Sequence, residues 1–247
     1  MLRSYLSLTY AFANAFWILW IKFPRLSREN KLIEIQNWSA NVLRVLGVEV
    51  CSEARTSALD TDLHAQLLVA NHVSWLDVLV IQSIQPSVFV AKSEIRNWPV
   101  IGLIAQACGV VFVDRGSLHS ARKMVDEVAA ALHHGYCVAG FPEGTSSDGR
   151  QVSLFHANLF EAAIHHQIDV RPLALRYKNI RTGELSIDAA FIDDIGFIES
   201  LHKVISLRAI RVDVHIGKPL SPKGHTRRTL AHLSHRAVST QLEQLAA

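Results

Sequence analysis

The fold is decided at residues 66–77, which read QLLVANHVSWLD. The apolar run at 67–70 is typical of a short strand that is buried on both faces of a sheet. Polar side chains follow at once, and Ser74 is a residue type that commonly caps the first turn of a helix. A buried strand that leads through a polar loop into a helix predicts an α/β protein.

The same alternation continues along the rest of the chain. Helical patterns separate further apolar runs, which lie at 48–50, 88–92, 110–113, 136–141, 170–177 and 211–216. We therefore predict a mixed, mainly parallel central sheet covered by helices. The run at 211–216 alternates with period two, which indicates a half-exposed strand near the sheet edge. A chain of 247 residues is long enough for one such domain, which we place at 48–247.

Residues 1–47 are predicted to form an amphipathic helical hairpin in front of this domain. The stretch 4–21 carries no charge and, as a helix, would reach about 27 Å, just short of the hydrocarbon thickness of a bilayer. Small and polar residues recur on one side of it, at Ser4, Ser7, Ala11 and Asn14. This pattern favours a helix that lies in the membrane interface, or packs on a second helix, over a lone span. The second helix is predicted to run from Ser27 to Gly47.

The charges that follow the apolar stretch indicate its orientation. Four basic residues come next, at Lys22, Arg25, Arg28 and Lys31. Basic residues favour an anionic headgroup surface, so we predict attachment to the cytoplasmic face of the inner cell membrane. A cleaved signal peptide is the alternative, but the small residues typical of a cleavage site precede the strongest apolar run instead of following it.

The overall composition argues against several classes of protein. The formal net charge of +3, from 25 basic and 22 acidic side chains, is too small to indicate a nucleic-acid partner, but it suits an anionic lipid surface or a phosphorylated substrate. The three cysteines show no CxxC spacing and are interpreted as reduced core thiols. The 13 histidines include no HExxH pattern, so we predict no metal site.

The polar loop after the strand at 67–70 carries His72, and Asp77 follows five positions later. Five positions on one regular helix rotate by about 140°, so the two side chains would not share a helix face. They meet only if His72 precedes the helix and Asp77 lies in its first turn, with Ser74 as the N-cap. Asp77 would then fix the imidazole tautomer and leave the other ring nitrogen basic, as a general base requires. The alternative is purely structural, because Ser74 and Asp77 also match a capping box.

Basic residues also lie at or just after the ends of two other predicted strands. Asp114 and Arg115 follow the strand at 110–113, and the planar guanidinium suits bidentate contact with a phosphate. A surface ion pair between these two residues is the alternative. Lys92 ends the strand at 88–92 and would add a second positive charge, or remain a solvated lysine.

The loop that follows the strand at 136–141 continues as Pro-Glu-Gly-Thr. Gly144 would let backbone N–H groups approach a ligand closely. Glu143 would bind a hydroxyl group or position Arg115, since we expect the strands before these two residues to be neighbours. The alternative is an ordinary turn in which Thr145 caps a helix.

Four blocks of sequence, taken in order, carry a family resemblance. They are Asn71-His72 with Asp77, Asp114-Arg115-Gly116, the FPEGT stretch at 141–145, and the apolar strand that contains Pro172. Together they resemble the glycerolipid acyltransferases, and in particular bacterial 1-acylglycerol-3-phosphate acyltransferases. The resemblance runs over roughly 67–177, and the N-terminal hairpin is also similar to that of bacterial members.

The resemblance implies a role for each matching position. His72 would deprotonate the acceptor hydroxyl, Asp77 would orient His72, and Arg115 would bind an acceptor phosphate. The predicted substrate-binding residues are Lys92, Arg115, Glu143, Gly144 and Thr145. The donor would be an acyl thioester of coenzyme A or of acyl carrier protein, which acts as a co-substrate, so no bound cofactor is expected.

The predicted function is therefore acyl transfer to 1-acylglycerol 3-phosphate, which gives phosphatidic acid without an acyl-enzyme. Two departures from the family pattern bear on the acceptor, namely the sequence LFHAN at 154–158 and the charged Arg171 in the fourth block. Lyso-ornithine lipid acyltransferases share the same blocks and act on an acceptor without a phosphate, so this activity is an alternative. A non-catalytic lipid-binding protein with the same fold is an alternative of a different class, against which His72 and Asp77 argue.

Overall fold

The computed structural model describes residues 2–52, 65–114, 117–192 and 195–246. The strands are β1 (Val48–Ser52), β2 (Leu67–Ala70), β3 (Val88–Lys92), β4 (Val111–Val113), β5 (Val138–Gly140), β6 (Val170–Asn179) and β7 (Ile210–Ile216). The α-helices are α1 (Leu2–Trp17), α2 (Arg28–Leu46), α3 (Leu76–Ile84), α4 (Ile101–Ala107), α5 (Leu118–His133), α6 (Phe160–His166), α7 (Phe197–Leu207) and α8 (Arg227–Gln244).

The strands form one sheet in the order β1-β7-β6-β2-β5-β3-β4. Every neighbouring pair is parallel except β6 and β7, which are antiparallel. The prediction of a mixed, mainly parallel sheet covered by helices is thus confirmed. Because β2, β5, β3 and β4 run in the same direction, their carboxyl ends lie at one edge of the sheet.

Strand β2 sits in the middle of the sheet and shows why its sequence is apolar throughout. Leu68 and Ala70 pack into a core that α1, α2, α3 and α7 cover, whereas Leu67 and Val69 pack into a second core on the opposite face, beneath α5, α6 and α8. Successive strand side chains point to opposite faces, so a strand with helices on both sides needs an apolar residue at every position.

Strand β7 lies second from the sheet edge, between β1 and β6. The prediction that it is close to the edge is correct, but the prediction that it is half-exposed is only partly so, because Val212, Asp213 and Val214 are all buried. Asp213 is tolerated there because Lys178 lies 3.0 Å and Arg211 lies 2.5 Å from its carboxylate.

The N-terminal helices form the predicted hairpin and pack against the sheet domain. Ser27 caps α2 by accepting a hydrogen bond from the Asn30 N–H at 3.3 Å, and Gly47 ends the helix with φ +75°. Trp38 of α2 donates a hydrogen bond to the Ala11 carbonyl of α1 at 2.8 Å. The buried side of α1 consists mainly of small residues and continues into the next turn, with Ser4, Leu8, Ala11, Ala15 and Ile18.

The opposite side of α1 and of the helical turn that follows it, Ile18–Lys22, is apolar and exposed. It presents Leu6, Tyr10, Trp17, Trp20 and Ile21. Within the described residues, one helical stretch, Ser4–Arg25, is long and apolar enough to cross a membrane by length and composition alone.

Candidate functional site

The site is built on the loops that leave the carboxyl ends of four adjacent strands. His72 follows β2, Glu143 follows β5, Lys92 ends β3, and Asp114 follows β4. These strands are consecutive in the sheet, and neighbouring strands lie about 4.8 Å apart. The polar residues predicted from sequence therefore share one edge.

His72 and Asp77 are in direct contact. His72 lies in the loop before α3, Asp77 is the second residue of that helix, and His72 Nδ1 is 2.8 Å from Asp77 Oδ2. A carboxylate accepts hydrogen bonds, so Nδ1 is the donor in this contact, and in the neutral ring the lone pair is then on Nε2. The contact with Asp77 thus fixes the orientation of the imidazole.

The prediction that Ser74 is the N-cap of α3 is wrong. The helix begins at Leu76, and the capping position is Trp75, which forms no side-chain cap. Ser74 Oγ does accept a hydrogen bond from the Leu76 N–H at 3.3 Å. The start is displaced because the Asp77 side chain folds back and accepts hydrogen bonds from the Val73 and Ser74 N–H groups, at 2.7 and 2.9 Å.

The Asp77 carboxylate is fully buried. Oδ2 receives the imidazole and the two backbone N–H groups, while Oδ1 accepts a hydrogen bond of 2.5 Å from the hydroxyl of Tyr177. Four donors stabilise the negative charge where no water reaches it. The sequence predicts Tyr177 only as part of the strand at 170–177. It does not indicate the contact with Asp77.

The ring of His72 lies flat against Phe141, with 4.1 Å between ring centroids and 11° between planes. The side chain of His72 is 23% exposed, so the ring reaches solvent although Asp77 does not. Phe141 therefore limits the movement of the imidazole away from Asp77. This role was also missed; the only sequence signal was an aromatic residue directly before Pro142.

Glu143 connects two loops of the site. Its Oε1 accepts a hydrogen bond from the His72 N–H and its Oε2 accepts one from the Ser153 N–H, both at 2.7 Å. Burial raises the pKa of Glu143, while these two hydrogen bonds act in the opposite direction. The carboxylate therefore supports the backbone of His72, a use that the sequence did not indicate.

The rest of the FPEGT loop adopts a conformation that requires glycine. Gly144 has φ +71°, and a Cβ atom there would lie 3.2 Å from Cδ2 of His156. Thr145 is exposed, and no helix follows it until the short helical turn that begins at Ala157. The alternative in which Thr145 caps a helix is therefore wrong.

The basic end of the site lies further along the same edge. Lys92 is exposed, and its strand β3 lies between β5 and β4. The expectation that the strands before Glu143 and Arg115 are neighbours is therefore wrong, since two steps of the sheet separate them by about 10 Å. Arg115 itself lies outside the described residues. Within the described ranges, no group of three His, Cys, Asp or Glu side chains could hold a metal ion.

Comparison with known proteins places this geometry in context. A family model described as Acyltransferase matches residues 49–176, a range that contains every residue predicted for the site. The crystal structure of the 1-acyl-sn-glycerophosphate acyltransferase from Thermotoga maritima has the same fold, with a TM-score of 0.70 and 20% identity over 100% of this chain and 97% of that one.

Two kinds of curated relative are similar in sequence. The lyso-ornithine lipid O-acyltransferase of Pseudomonas aeruginosa is 34% identical over 207 residues, which cover 83% of this chain and 76% of that protein. The 1-acyl-sn-glycerol-3-phosphate acyltransferase of Neisseria meningitidis is 38% identical over 149 residues, which cover 60% of this chain and 58% of that protein.

The bridge made by Glu143 generates a prediction. An amide at this position has a single acceptor oxygen, so in Glu143→Gln either the His72 or the Ser153 N–H faces an NH₂ group and loses its partner. We expect the free energy of unfolding to fall by about 1–3 kcal/mol in urea titrations. Glu184→Gln, which alters an exposed carboxylate in a turn, is the control and should leave it unchanged. Equal stability of both variants would contradict the role assigned to Glu143.

Proposed function

This chain belongs to the Acyltransferase family and is an O-acyltransferase, and we propose that it moves a fatty acyl group from a thioester to the free hydroxyl of a lysolipid, with His72 as the general base. The observation that carries this proposal is the 2.8 Å contact between His72 Nδ1 and Asp77 Oδ2. With Nδ1 donating to Asp77, Nε2 of the neutral ring is the available base, on a side chain that is partly open to solvent at the edge of the sheet where ligands of α/β proteins bind.

In the proposed reaction, Nε2 of His72 accepts the proton of the acceptor hydroxyl as its oxygen attacks the thioester carbonyl. The tetrahedral intermediate then collapses, the carbon–sulfur bond breaks, and the imidazolium returns the proton to the departing thiolate. Asp77 stabilises the transient imidazolium. A positioned base is typically worth about 10²- to 10⁴-fold, so orientation of the substrates and stabilisation of the oxyanion must supply the rest.

The acyl group is proposed to pass directly from donor to acceptor. Two serines lie near His72, but both hydroxyls are engaged by carbonyl oxygens. Ser146 donates to the Phe191 carbonyl, and Ser147 donates to the His72 carbonyl at 3.3 Å. Neither hydroxyl donates to a basic side chain, whereas a serine nucleophile requires a hydrogen bond to its base. The proposed donor is acyl-coenzyme A or acyl-acyl carrier protein.

The first candidate acceptor is 1-acylglycerol 3-phosphate. It is supported by the position of Lys92, which ends β3 next to β4, the strand that Arg115 follows in the sequence. Two cations from adjacent strand ends suit a doubly charged phosphate. The second candidate is a lyso-ornithine lipid, because the similarity to the Pseudomonas aeruginosa relative extends over 83% of this chain, against 60% for the Neisseria meningitidis relative.

The exposed side of α1 is proposed to hold the protein on the cytoplasmic face of a membrane. Its large apolar side chains would enter the interface, where tryptophan is especially favourable. Three basic residues follow directly, and of these the exposed Arg25 would contact anionic headgroups. Lys22 instead pairs with Glu34 at 2.6 Å, and Arg28 lies over the ring of Tyr136. The small residues on the other side of α1 are already used in packing against α2.

The catalytic role of His72 is tested by His72→Ala. We expect kcat for acyl transfer to fall by at least about 10²-fold, because the base is lost, while the far-UV circular dichroism spectrum stays close to that of the parent. His232→Ala, which removes an exposed histidine of α8, is the control and should retain full activity. Undiminished turnover in folded His72→Ala would overturn the mechanism.

The acceptor is tested by offering both lysolipids to the purified enzyme with one donor. We expect a higher kcat/KM with 1-acylglycerol 3-phosphate, and in Arg115→Ala a KM for that acceptor raised by about 10-fold or more, as expected when a charge-assisted contact is lost. Arg181→Ala, at an exposed turn, is the control. A higher kcat/KM with lyso-ornithine lipid would replace the first candidate with the second.

Membrane attachment is tested with Trp17→Ser/Trp20→Ser. Both side chains are at least half exposed, so the fold should persist while partitioning onto vesicles that contain phosphatidylglycerol falls by about 10-fold or more, measured by co-sedimentation. These substitutions test the membrane contact alone, whereas deletion of the first helix would also expose the core that contains Leu8 and Ala11. Ile180→Ser, at an exposed apolar residue outside α1, should leave partitioning unchanged.

A further inference from the structure

The catalytic pair has a third member that lies a hundred positions away in the sequence. We propose that Tyr177 is a positioning residue of the reaction, which sets the basicity and orientation of His72 through the carboxylate of Asp77. The inference rests on the proposed function, because it assumes that His72 is the base.

The two oxygens of Asp77 have different partners. Oδ2 serves His72 and two backbone N–H groups, whereas the donor that the described residues supply to Oδ1 is the hydroxyl of Tyr177, at 2.5 Å. A carboxylate that is held at both oxygens cannot rotate about its Cβ–Cγ bond. Tyr177 therefore keeps Oδ2 directed at the imidazole.

The tyrosine is itself fixed by the sheet. It lies on β6, its side chain is fully buried, and β6 pairs in parallel with β2, the strand that leads to His72. The Asn71 side chain extends this pairing into the loop, since it accepts from the Leu175 N–H at 2.8 Å and donates to the Leu175 carbonyl at 2.9 Å. Tyr177 is two positions further on the same face of the strand, so its distance from the loop is set by the backbone.

The charge environment keeps this hydrogen bond in one direction. Burial, followed by the adjacent Asp77 carboxylate, raises the pKa of Tyr177 well above its ordinary value, so the phenol remains protonated and donates. Among the described residues, Asp77 from α3 contacts the His72 ring, and Glu143 from the loop after β5 binds the His72 N–H. His156 lies beside Gly144 on the same loop.

The phenol draws part of the negative charge of Asp77 towards Oδ1. Without it, more charge resides on Oδ2, and the protonated form of His72 is favoured. The base would then be available only at higher pH, and it would be held less firmly. A tyrosine that merely filled space in the core would produce neither effect when replaced by phenylalanine.

The test is Tyr177→Phe, which keeps the ring and removes the hydroxyl. We expect the acid limb of the kcat/KM profile to move to higher pH by about one unit and the plateau kcat to fall by roughly 10-fold, with KM for both substrates nearly unchanged. Tyr136→Phe is the matched control and should show the parent profile. Its ring stacks beneath Arg28, and it precedes β5, at the end of the parallel strands opposite to His72.

A second measurement distinguishes an effect of Tyr177 that acts through Asp77 from a general loss of stability. If Tyr177 acts through Asp77, then adding Tyr177→Phe to Asp77→Asn should change kcat by less than about twofold, because the route is already broken. An unmoved acid limb in folded Tyr177→Phe, or full additivity of the two substitutions, would overturn the inference. Loss of activity in His72→Ala together with an unmoved acid limb would leave the general base intact and reject only the role of Tyr177.

Discussion

The structure depends on the buried carboxylate of Asp77. A carboxylate without partners in a protein interior costs several kcal/mol, so the chain must bring donors to it from several directions. Here they come from the His72 ring, from the backbone of the loop before α3, and from Tyr177 on β6. These contacts determine where α3 begins, how the loop turns and which side of the imidazole faces solvent.

The sheet provides the rigid frame for this arrangement. Strand β2 is buried on both faces, and the side chain of Asn71 continues its pairing with β6 beyond the last strand residue. Glu143 then joins the backbone of His72 to the loop after β5. Since β5 and β6 flank β2, the loop that carries His72 is held from both neighbouring strands, and little freedom remains for His72.

Much of the fold could be predicted because its signals are local. An apolar run bounded by polar residues indicates a buried strand, and helical spacing indicates the covering helices, so the mixed sheet follows from short windows of sequence. The approach of His72 to Asp77 could also be predicted. Two residues five positions apart do not share a face of one helix, so they can meet only where a loop leads into a helix.

The errors concern relations between distant segments. The polar loops at Arg115 and Glu143 predict neighbouring strands, but strand order is set by tertiary packing, and β3 lies between β5 and β4. The contact between Tyr177 and Asp77 was not visible either, because a tyrosine in an apolar strand resembles any other core residue. The prediction that Ser74 caps α3 fails for a related reason. The Asp77 carboxylate accepts hydrogen bonds from the Val73 and Ser74 N–H groups, in place of a serine cap.

The packing of the hairpin connects the proposed membrane surface to the chemistry. Helix α1 packs against α2 through its small residues, α2 packs against α3, and α3 starts with the turn that contains Asp77. Because protein interiors are close-packed, the position of one helix constrains the position of the next. If the exposed side of α1 lies in the membrane interface, the packing of α1, α2 and α3 sets the height and tilt of His72 and Asp77 above the lipid. The proposed membrane contact would then fix the position at which a lysolipid hydroxyl meets His72.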